Sequence, residues 1–289
     1  MLLYYHANLA IEGDANMDLN FINDPGISLP QKKKSNRKPR ASECGLKIFY
    51  QPIVQPMFNK TTAYEAQVKL VDRDLGYVSY DELLPITEKS KISALLEQWM
   101  FEEICSTVQK MDKKEIEFEY VSVNISVRSL KKKNYISNLL KIISDAGVSP
   151  EKICLVISEN NLNADTDVII EKMHELKREG FKIAVGNYSA SYMPLSKLDS
   201  VPTDLIKLDQ TITDRLFIDK KTEENAMAII HHADKLKLEI VAKSVENEMQ
   251  KYKLMALGCN KMQGFLFGSP VKDREVLNPK PYNKIMCTV

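Results

Sequence analysis

Several polar and charged side chains stand where predicted strands end, a position at which many α/β proteins hold their catalytic groups. In chain order they are Glu65, Asn124, Ser158 with Glu159, Gly186 with Asn187, Lys207 with Asp209, Lys243 and Gln263. A carboxylate and an amide oxygen, such as those of Glu65 and Asn124, suit Mg²⁺. Hydrolysis of a phosphodiester by two metal ions requires more anions, because several carboxylates must neutralise the two dications.

The remaining strand ends supply few of those anions. Val156 is aliphatic, Gly186 has no side chain and Asn187 is neutral. Lys207 and Lys243 bring two positive charges to the same set of strand ends. The residues therefore predict a site that concentrates an anion rather than a divalent metal.

The elements that must position these side chains alternate along the chain. From Leu46 onward, short β-branched runs such as "KIAV" (182–185) are followed by stretches with apolar residues at helical spacing. Such alternation predicts parallel strands joined by right-handed crossovers. About eight strands favour an α/β fold of the (β/α)₈ TIM-like barrel type, in which the strand ends converge on one side.

Composition narrows the class of protein. The chain has 289 residues and a net charge of +1, so no overall field attracts nucleic acid or anionic lipid. No apolar run is long enough to span a membrane. We expect three parts: a disordered or loosely ordered basic tail (1–44), a barrel (45–277) and a C-terminal tail (278–289). The basic cluster within 32–40 could touch DNA, RNA or a membrane, although a solvated linker is the favoured interpretation.

The cysteines and histidines show no metal-binding spacing. Five cysteines are scattered without a C-x-x-C pair, which is typical of a reduced, cytoplasmic protein. The four histidines do not complete a zinc site with them.

Five motifs occur in order between Leu46 and Val276: "FYQPIV…YEAQVKL", "VSVNIS", "DLIKLD", "VENE" and "MQGFLFGSP". In order and spacing they resemble the EAL family of cyclic di-GMP phosphodiesterases. The resemblance implies an EAL-type barrel with an antiparallel first strand. It also implies a dinucleotide site at the carboxyl ends of the strands and two Mg²⁺ or Mn²⁺ ions in active members.

The resemblance also assigns individual positions. The matching remnants of the family's site are Glu65, Asn124, Lys207, Asp209, Glu246 and Gln263. Val156, Gly186 and Asn187 stand at former metal-ligand positions. Lys243 replaces an acid, Lys69 replaces a phosphate-binding arginine, and "GNYSASY" (186–192) replaces the family's aspartate- and glycine-rich loop.

These departures predict a catalytically inactive EAL-like regulator that acts by binding a regulatory protein. The alternative is a metal-independent cyclic di-GMP receptor, with Gln51, Lys69, Lys207 and Lys243 as ligand-binding residues. An active phosphodiesterase is the third hypothesis. No catalytic residue and no cofactor are expected, and Mg²⁺ or Mn²⁺ would matter only if activity persists. A homodimer is a further possible assembly, whereas nucleic acid and membrane partners are not expected.

Overall fold

The computed structural model describes residues 45–72, 75–87, 92–162 and 166–279. The predicted tail 1–44, with its basic cluster, and residues 280–289 of the predicted C-terminal tail lie outside the described residues. Within the described ranges, no helix is both long and apolar enough to cross a membrane.

The described residues form nine strands and ten α-helices. The strands are β1 (Gly45–Gln55), β2 (Lys60–Asp72), β3 (Gly76–Ser79), β4 (Val121–Asn124), β5 (Ile153–Ser158), β6 (Lys182–Tyr188), β7 (Leu205–Leu208), β8 (Glu239–Ala242) and β9 (Lys261–Met262). The helices are α1 (Tyr80–Thr87), α2 (Ile92–Lys113), α3 (Val127–Leu130), α4 (Tyr135–Asp145), α5 (Thr166–Arg178), α6 (Leu195–Leu198), α7 (Gln210–Arg215), α8 (Lys220–Lys235), α9 (Glu248–Ala256) and α10 (Asp273–Val276).

The chain divides into two compact units. The first comprises the described residues of 45–49 and 67–100. In it the end of β2 pairs with β3 as an antiparallel hairpin. The rings of Phe49 and Tyr77 meet edge to face, with centroids 6.1 Å apart, and the Lys69 ammonium lies 5.5 Å from the Phe49 centroid.

The second unit comprises 50–66 and the described residues from 101 onward, and it contains a closed ring of eight strands. In order around the ring the strands are β1, β2, β4, β5, β6, β7, β8 and β9, and β9 pairs again with β1. The pairings from β2 through to β9 are parallel, whereas β1 pairs antiparallel with β9 at Val54 and Met262. This confirms the predicted barrel with its antiparallel first strand.

Mostly small and β-branched side chains, together with Tyr120 and Leu205, fill the ring. The fully or nearly buried set is Ile53, Ala63, Tyr120, Cys154, Val156, Ala184, Leu205 and Val241. Inward-facing residues of this size fill the interior of an eight-stranded barrel without leaving a pore. Among the described cysteines, Cys105, Cys154 and Cys259 are buried free thiols, and burial raises the pKa of each to about 12.

Helix α8 shows how sequence pattern places a crossover helix on the barrel. Its buried residues are Ala226, Ile229, Ile230 and Ala233, which follow the three- and four-residue spacing of one helical face. Asp219 caps its amino end by accepting a hydrogen bond from the Lys221 amide. The opposite face of the helix is left on the surface.

Candidate functional site

Glu65 lies at the centre of a cluster near the carboxyl ends of the parallel strands. Its side chain is buried, and its Oε1 accepts a hydrogen bond from Lys207 Nζ at 2.7 Å. Its Oε2 accepts from Gln263 Nε2 at 2.8 Å. A second ammonium, that of Lys243, lies 3.8 Å from Glu65 Oε1. Both carboxylate oxygens are therefore engaged by groups of the chain itself.

The charge state of Glu65 follows from these neighbours. Burial alone would raise the pKa of its carboxyl, since desolvation penalises the charged form. The charges of Lys207 and Lys243, with the hydrogen bonds from Lys207 and Gln263, outweigh burial and hold the pKa well below its usual range. Glu65 is thus a carboxylate at neutral pH.

Lys207 is completely buried, and it has a second partner that the sequence analysis missed. Its ammonium donates to Ser122 Oγ at 2.7 Å as well as to Glu65. Ser122 lies opposite Glu65 in the β2–β4 register. A signal was available, because Ser122 precedes Asn124 by two residues and so shares its face of β4.

Two glutamines extend the cluster. Gln263 Nε2 also donates to Gln51 Oε1 at 3.0 Å, and Gln51 Nε2 donates to the Gly268 carbonyl at 3.1 Å. The buried Gln263 Oε1 meets no donor in the part of the chain that the structure describes. We call Gln51, Glu65, Ser122, Lys207, Lys243 and Gln263 the mouth cluster. Three of the four predicted ligand-binding residues, Gln51, Lys207 and Lys243, belong to this cluster. The fourth, Lys69, belongs to the first unit.

Val156 and Gly186 are packed so closely that they exclude a further side chain. They lie on neighbouring strands, β5 and β6. A Cβ atom added at Gly186 would lie 2.6 Å from Val156 Cγ1, a separation that real Cβ atoms essentially never show. The isopropyl group of Val156 therefore occupies the space that any side chain at position 186 would need.

The loop after β6 is organised by Glu159, whose carboxylate is fully buried. Its Oε2 accepts from the Ser189 amide at 2.8 Å, and its Oε1 accepts from the amides of Tyr192 (3.0 Å) and Met193 (2.8 Å). Asn225 on α8 donates to the Ser189 carbonyl at 3.0 Å. The loop is thus held by the chain's own carboxylate, a role that the spacing of the strand ends did not reveal.

The other predicted site residues lie outside the mouth cluster's hydrogen bonds. Asn124 is half-buried at the end of β4, opposite Val156 in register. Asp209 caps α7 by accepting from the amide (2.9 Å) and hydroxyl (2.5 Å) of Thr211. Glu246 is exposed, and its amide donates to Gln250 Oε1 at 2.8 Å. Asn187 is exposed in a left-handed conformation with φ 51°.

The donor set does not fit the two Mg²⁺ or Mn²⁺ ions that the family resemblance implies for active members. A dication at Glu65 would face the ammonium groups of Lys207 and Lys243. Val156 offers only methyl groups, and Gly186 offers no side chain. Among the described residues, no group of three or more His, Cys, Asp or Glu side chains is arranged to hold a metal ion.

Fold and site together define a protein of the TIM-barrel class with a charged cluster at the carboxyl ends of its strands. The model of the EAL domain matches residues 36–270. The chain therefore belongs to the EAL domain family, which works in cyclic di-GMP signalling.

Similar proteins support the same assignment. The chain is 25% identical over 233 residues to the bifunctional diguanylate cyclase/cyclic di-GMP phosphodiesterase MucR of Pseudomonas aeruginosa, covering 80% of this chain and 34% of MucR. It is 26% identical over 228 residues to the signalling protein YkoW of Bacillus subtilis, covering 78% and 28%. The chain thus spans about a third of the length of these curated relatives.

A solved structure agrees in fold. The MucR phosphodiesterase, solved as a c-di-GMP complex, superposes with a TM-score of 0.75 at 24% identity, covering 80% of this chain and 94% of that one. At this identity the likeness concerns the architecture alone.

Proposed function

We propose that this chain is a non-catalytic regulator of the EAL family, acting in the cytoplasm through a protein partner in cyclic di-GMP-related signalling. The observation that carries the proposal is the packing of Val156 against Gly186, with only 2.6 Å between Val156 Cγ1 and a Cβ at position 186. This packing fills a position at which the family resemblance expects a metal-binding aspartate.

The charges of the mouth cluster support the same conclusion. Hydrolysis of a phosphodiester by two-metal chemistry requires carboxylates that are available to the ions. Both carboxylate oxygens of Glu65 instead accept hydrogen bonds, one from Lys207 and the other from Gln263. The proposal is therefore that the site needs no metal and activates no water.

A hydrolysis assay tests the loss of catalysis. Purified protein is incubated with cyclic di-GMP and Mg²⁺ or Mn²⁺, an active EAL phosphodiesterase serves as the positive control, and products are separated by chromatography. We expect no turnover above the protein-free background. Metal-dependent turnover that disappears in Glu65→Gln would overturn the proposal.

The partner is tested separately. Tagged protein is used to retrieve binding proteins from a lysate of its native cells, and the stoichiometry of each retained protein is measured. A stoichiometric partner is expected. If none is retained, the regulatory part of the proposal fails, even when the hydrolysis assay is negative.

A second candidate function is a receptor that binds cyclic di-GMP without metal. Lys207 and Lys243 supply two ammonium groups against the single carboxylate of Glu65, and Gln263 Oε1 is a buried acceptor without a donor among the described residues. A surplus cation and an open acceptor suit a ligand that carries phosphates and amide or hydroxyl donors. The solved MucR structure is a complex with this dinucleotide.

Isothermal titration with cyclic di-GMP distinguishes the two candidates. Binding that is unchanged by Mg²⁺ and weakened at least about tenfold in Lys243→Ala would favour the receptor. Absence of heat at high protein concentration would exclude it and leave the protein partner.

A further inference from the structure

A groove of about 940 Å³ lies at the opposite end of the barrel from the mouth cluster. Its lining includes Gln55 at the end of β1, Glu239 at the start of β8 and Lys261 at the start of β9. Glu239 and Lys261 are at the amino ends of parallel strands, and Gln55 reaches the same end of the barrel because β1 runs antiparallel. The groove is therefore separate from the site described above, and its volume is in the range of ligand-binding clefts.

One face of α8 forms a wall of this groove. The exposed residues that it contributes are Glu224, Met227, Ala228, His231 and Asp234, at successive spacings of three, one, three and three. Such spacing defines a continuous helical stripe. From Glu224 to Asp234 the stripe runs roughly 15 Å, or nearly three turns. Its apolar centre, Met227, is 49% exposed.

The groove is lined by both apolar and acidic side chains. Met227, Leu238 and Leu257 supply apolar surface, while Glu224 and Asp234 are exposed carboxylates. Lys261 also lines the groove, but it donates to Glu119 and Glu239 at 2.7 Å each. Its positive charge is therefore already balanced by the chain. The Lys220 ammonium lies 3.7 Å from the Glu224 carboxylate, but both side chains are largely exposed, so water screens this pair and Glu224 and Asp234 keep the groove acidic.

We propose that this surface, the α8 groove, binds a basic amphipathic helix of a partner protein. A helix laid in a groove presents anchors at three- and four-residue spacing, which matches the stripe on α8. Ala228 allows close approach of the two backbones, and Met227 adapts its shape to the side chains opposite. The carboxylates of Glu224 and Asp234 complement Lys or Arg at the edges of the apolar face. The inference rests on the proposed function, because it gives the protein partner its place and its chemistry.

Model peptides test the chemistry with the full chain. Three fluorescent 18-residue peptides are compared by anisotropy: a Leu/Lys helix with one apolar face, a Leu/Glu helix of the same pattern, and a scrambled Leu/Lys sequence without a face. We expect the amphipathic Leu/Lys helix to bind at least about tenfold more tightly than the other two, and added salt to weaken it.

Two matched variants test the location. Ala228→Trp fills the groove and should weaken binding about tenfold or more, whereas Ala228→Ser should leave it within about twofold. Because position 228 is exposed, both variants should fold, and circular dichroism with a thermal melt verifies this. The inference is overturned if none of the peptides binds, if the scrambled or Leu/Glu peptide binds equally well, or if Ala228→Trp binds like the unmodified protein.

Retrieval from the native lysate separates this inference from the proposed function. A stoichiometric partner that is lost in Ala228→Trp and kept in Ala228→Ser supports the α8 groove. A partner retained by both variants overturns the groove as its location and leaves the proposed function standing. Absence of a partner with the unmodified protein contradicts the proposed function itself. A homodimer that Ala228→Trp dissociates in sedimentation would make a second copy the occupant and overturn the inference.

Discussion

Each end of the barrel holds a buried lysine that is surrounded by hydrogen-bond acceptors. The two ends differ in the number of ammonium groups for each carboxylate. At the mouth, Lys207 is fully buried and shares the carboxylate of Glu65 with Lys243. At the base, Lys261 donates to two carboxylates, those of Glu119 and Glu239. We call the second group, with Tyr120 and Lys182, the base cluster.

The groups of the base cluster bind one another. The Tyr120 hydroxyl donates to Glu239, and the ammonium groups of Lys182 and Lys261 lie 5.3 and 5.5 Å from the Tyr120 ring centroid. The mouth cluster instead retains an excess ammonium and the acceptor of Gln263. The comparison teaches that a buried lysine alone does not mark a ligand site: each end holds one, and what distinguishes the mouth is its excess ammonium and the Gln263 acceptor that meets no donor among the described residues.

Removing a carboxylate at the mouth should have the largest effect. Glu65→Gln leaves the buried ammonium of Lys207 without its counter-ion, and we expect a loss of about 3–5 kcal/mol in the free energy of unfolding. The matched change at the base, Glu119→Gln, should cost only about 0–1 kcal/mol, because the Glu119 side chain is 45% exposed and Lys261 keeps Glu239. Urea denaturation measures both, and equal losses would contradict the comparison.

The same pair has a pH signature. The folded pKa of Glu65 is lowered from 4.5 by Lys207 and Lys243 against the effect of burial, so its stabilising contribution is complete above pH 4.5. It is lost as the pH falls from there toward the folded pKa. The gap in unfolding free energy between the unmodified protein and Glu65→Gln should therefore narrow below pH 4.5. A gap that stays constant would mean that Glu65 does not titrate with a lowered pKa.

Removing a hydrogen bond from the base cluster should have the next largest effect on the free energy of unfolding. Tyr120→Phe removes the hydroxyl that donates to Glu239, and a hydrogen bond to a charged group contributes about 1.5–3 kcal/mol. We expect thermal and urea unfolding to shift by that amount. Affinity for any mouth ligand should stay unchanged, because the base cluster lies at the other end of the barrel, and a changed affinity would weaken the distinction between the two ends.

Restoring a side chain at position 186 should destabilise the mouth. Gly186→Ala places a Cβ against Val156 Cγ1, and overpacking of this kind costs about 1–3 kcal/mol. In the background of Val156→Ala, which removes the obstructing methyl groups, the same change should cost clearly less. A double-mutant cycle measures the coupling. Strictly additive effects would show that the two positions do not compete for one space.

The smallest effect is expected at Asp209, a remnant of the family's site that here caps a helix. Asp209→Ala removes the acceptor for the Thr211 amide and should cost about 1 kcal/mol, while Asp209→Asn should largely preserve stability. Both are read from urea denaturation. A loss in Asp209→Asn as large as that in Asp209→Ala would show that the charge of Asp209, and not only its cap acceptor, contributes to stability.

Much of the architecture could be predicted from the sequence. The alternation of β-branched runs and helical spacing is a local property, since each period depends on residues a few positions apart. It predicted the parallel strands, and the family resemblance added the antiparallel first strand, which the pairing of Val54 with Met262 confirms. The strand ends also pointed to Glu65, Lys207, Lys243 and Gln263 as neighbours.

The contacts among those residues were decided by the tertiary structure. Lys207 and Glu65 are separated by 142 residues, and only the register of the closed ring sets their ammonium and carboxylate 2.7 Å apart. Likewise the position of Val156 over Gly186, and of Glu159 inside its loop, depends on how neighbouring strands align. The sequence by itself determined the elements and the residue types at their ends, because propensity and periodicity are local. Ring closure decided which charges pair and which space is filled, because side-chain contacts depend on distant segments meeting in one register.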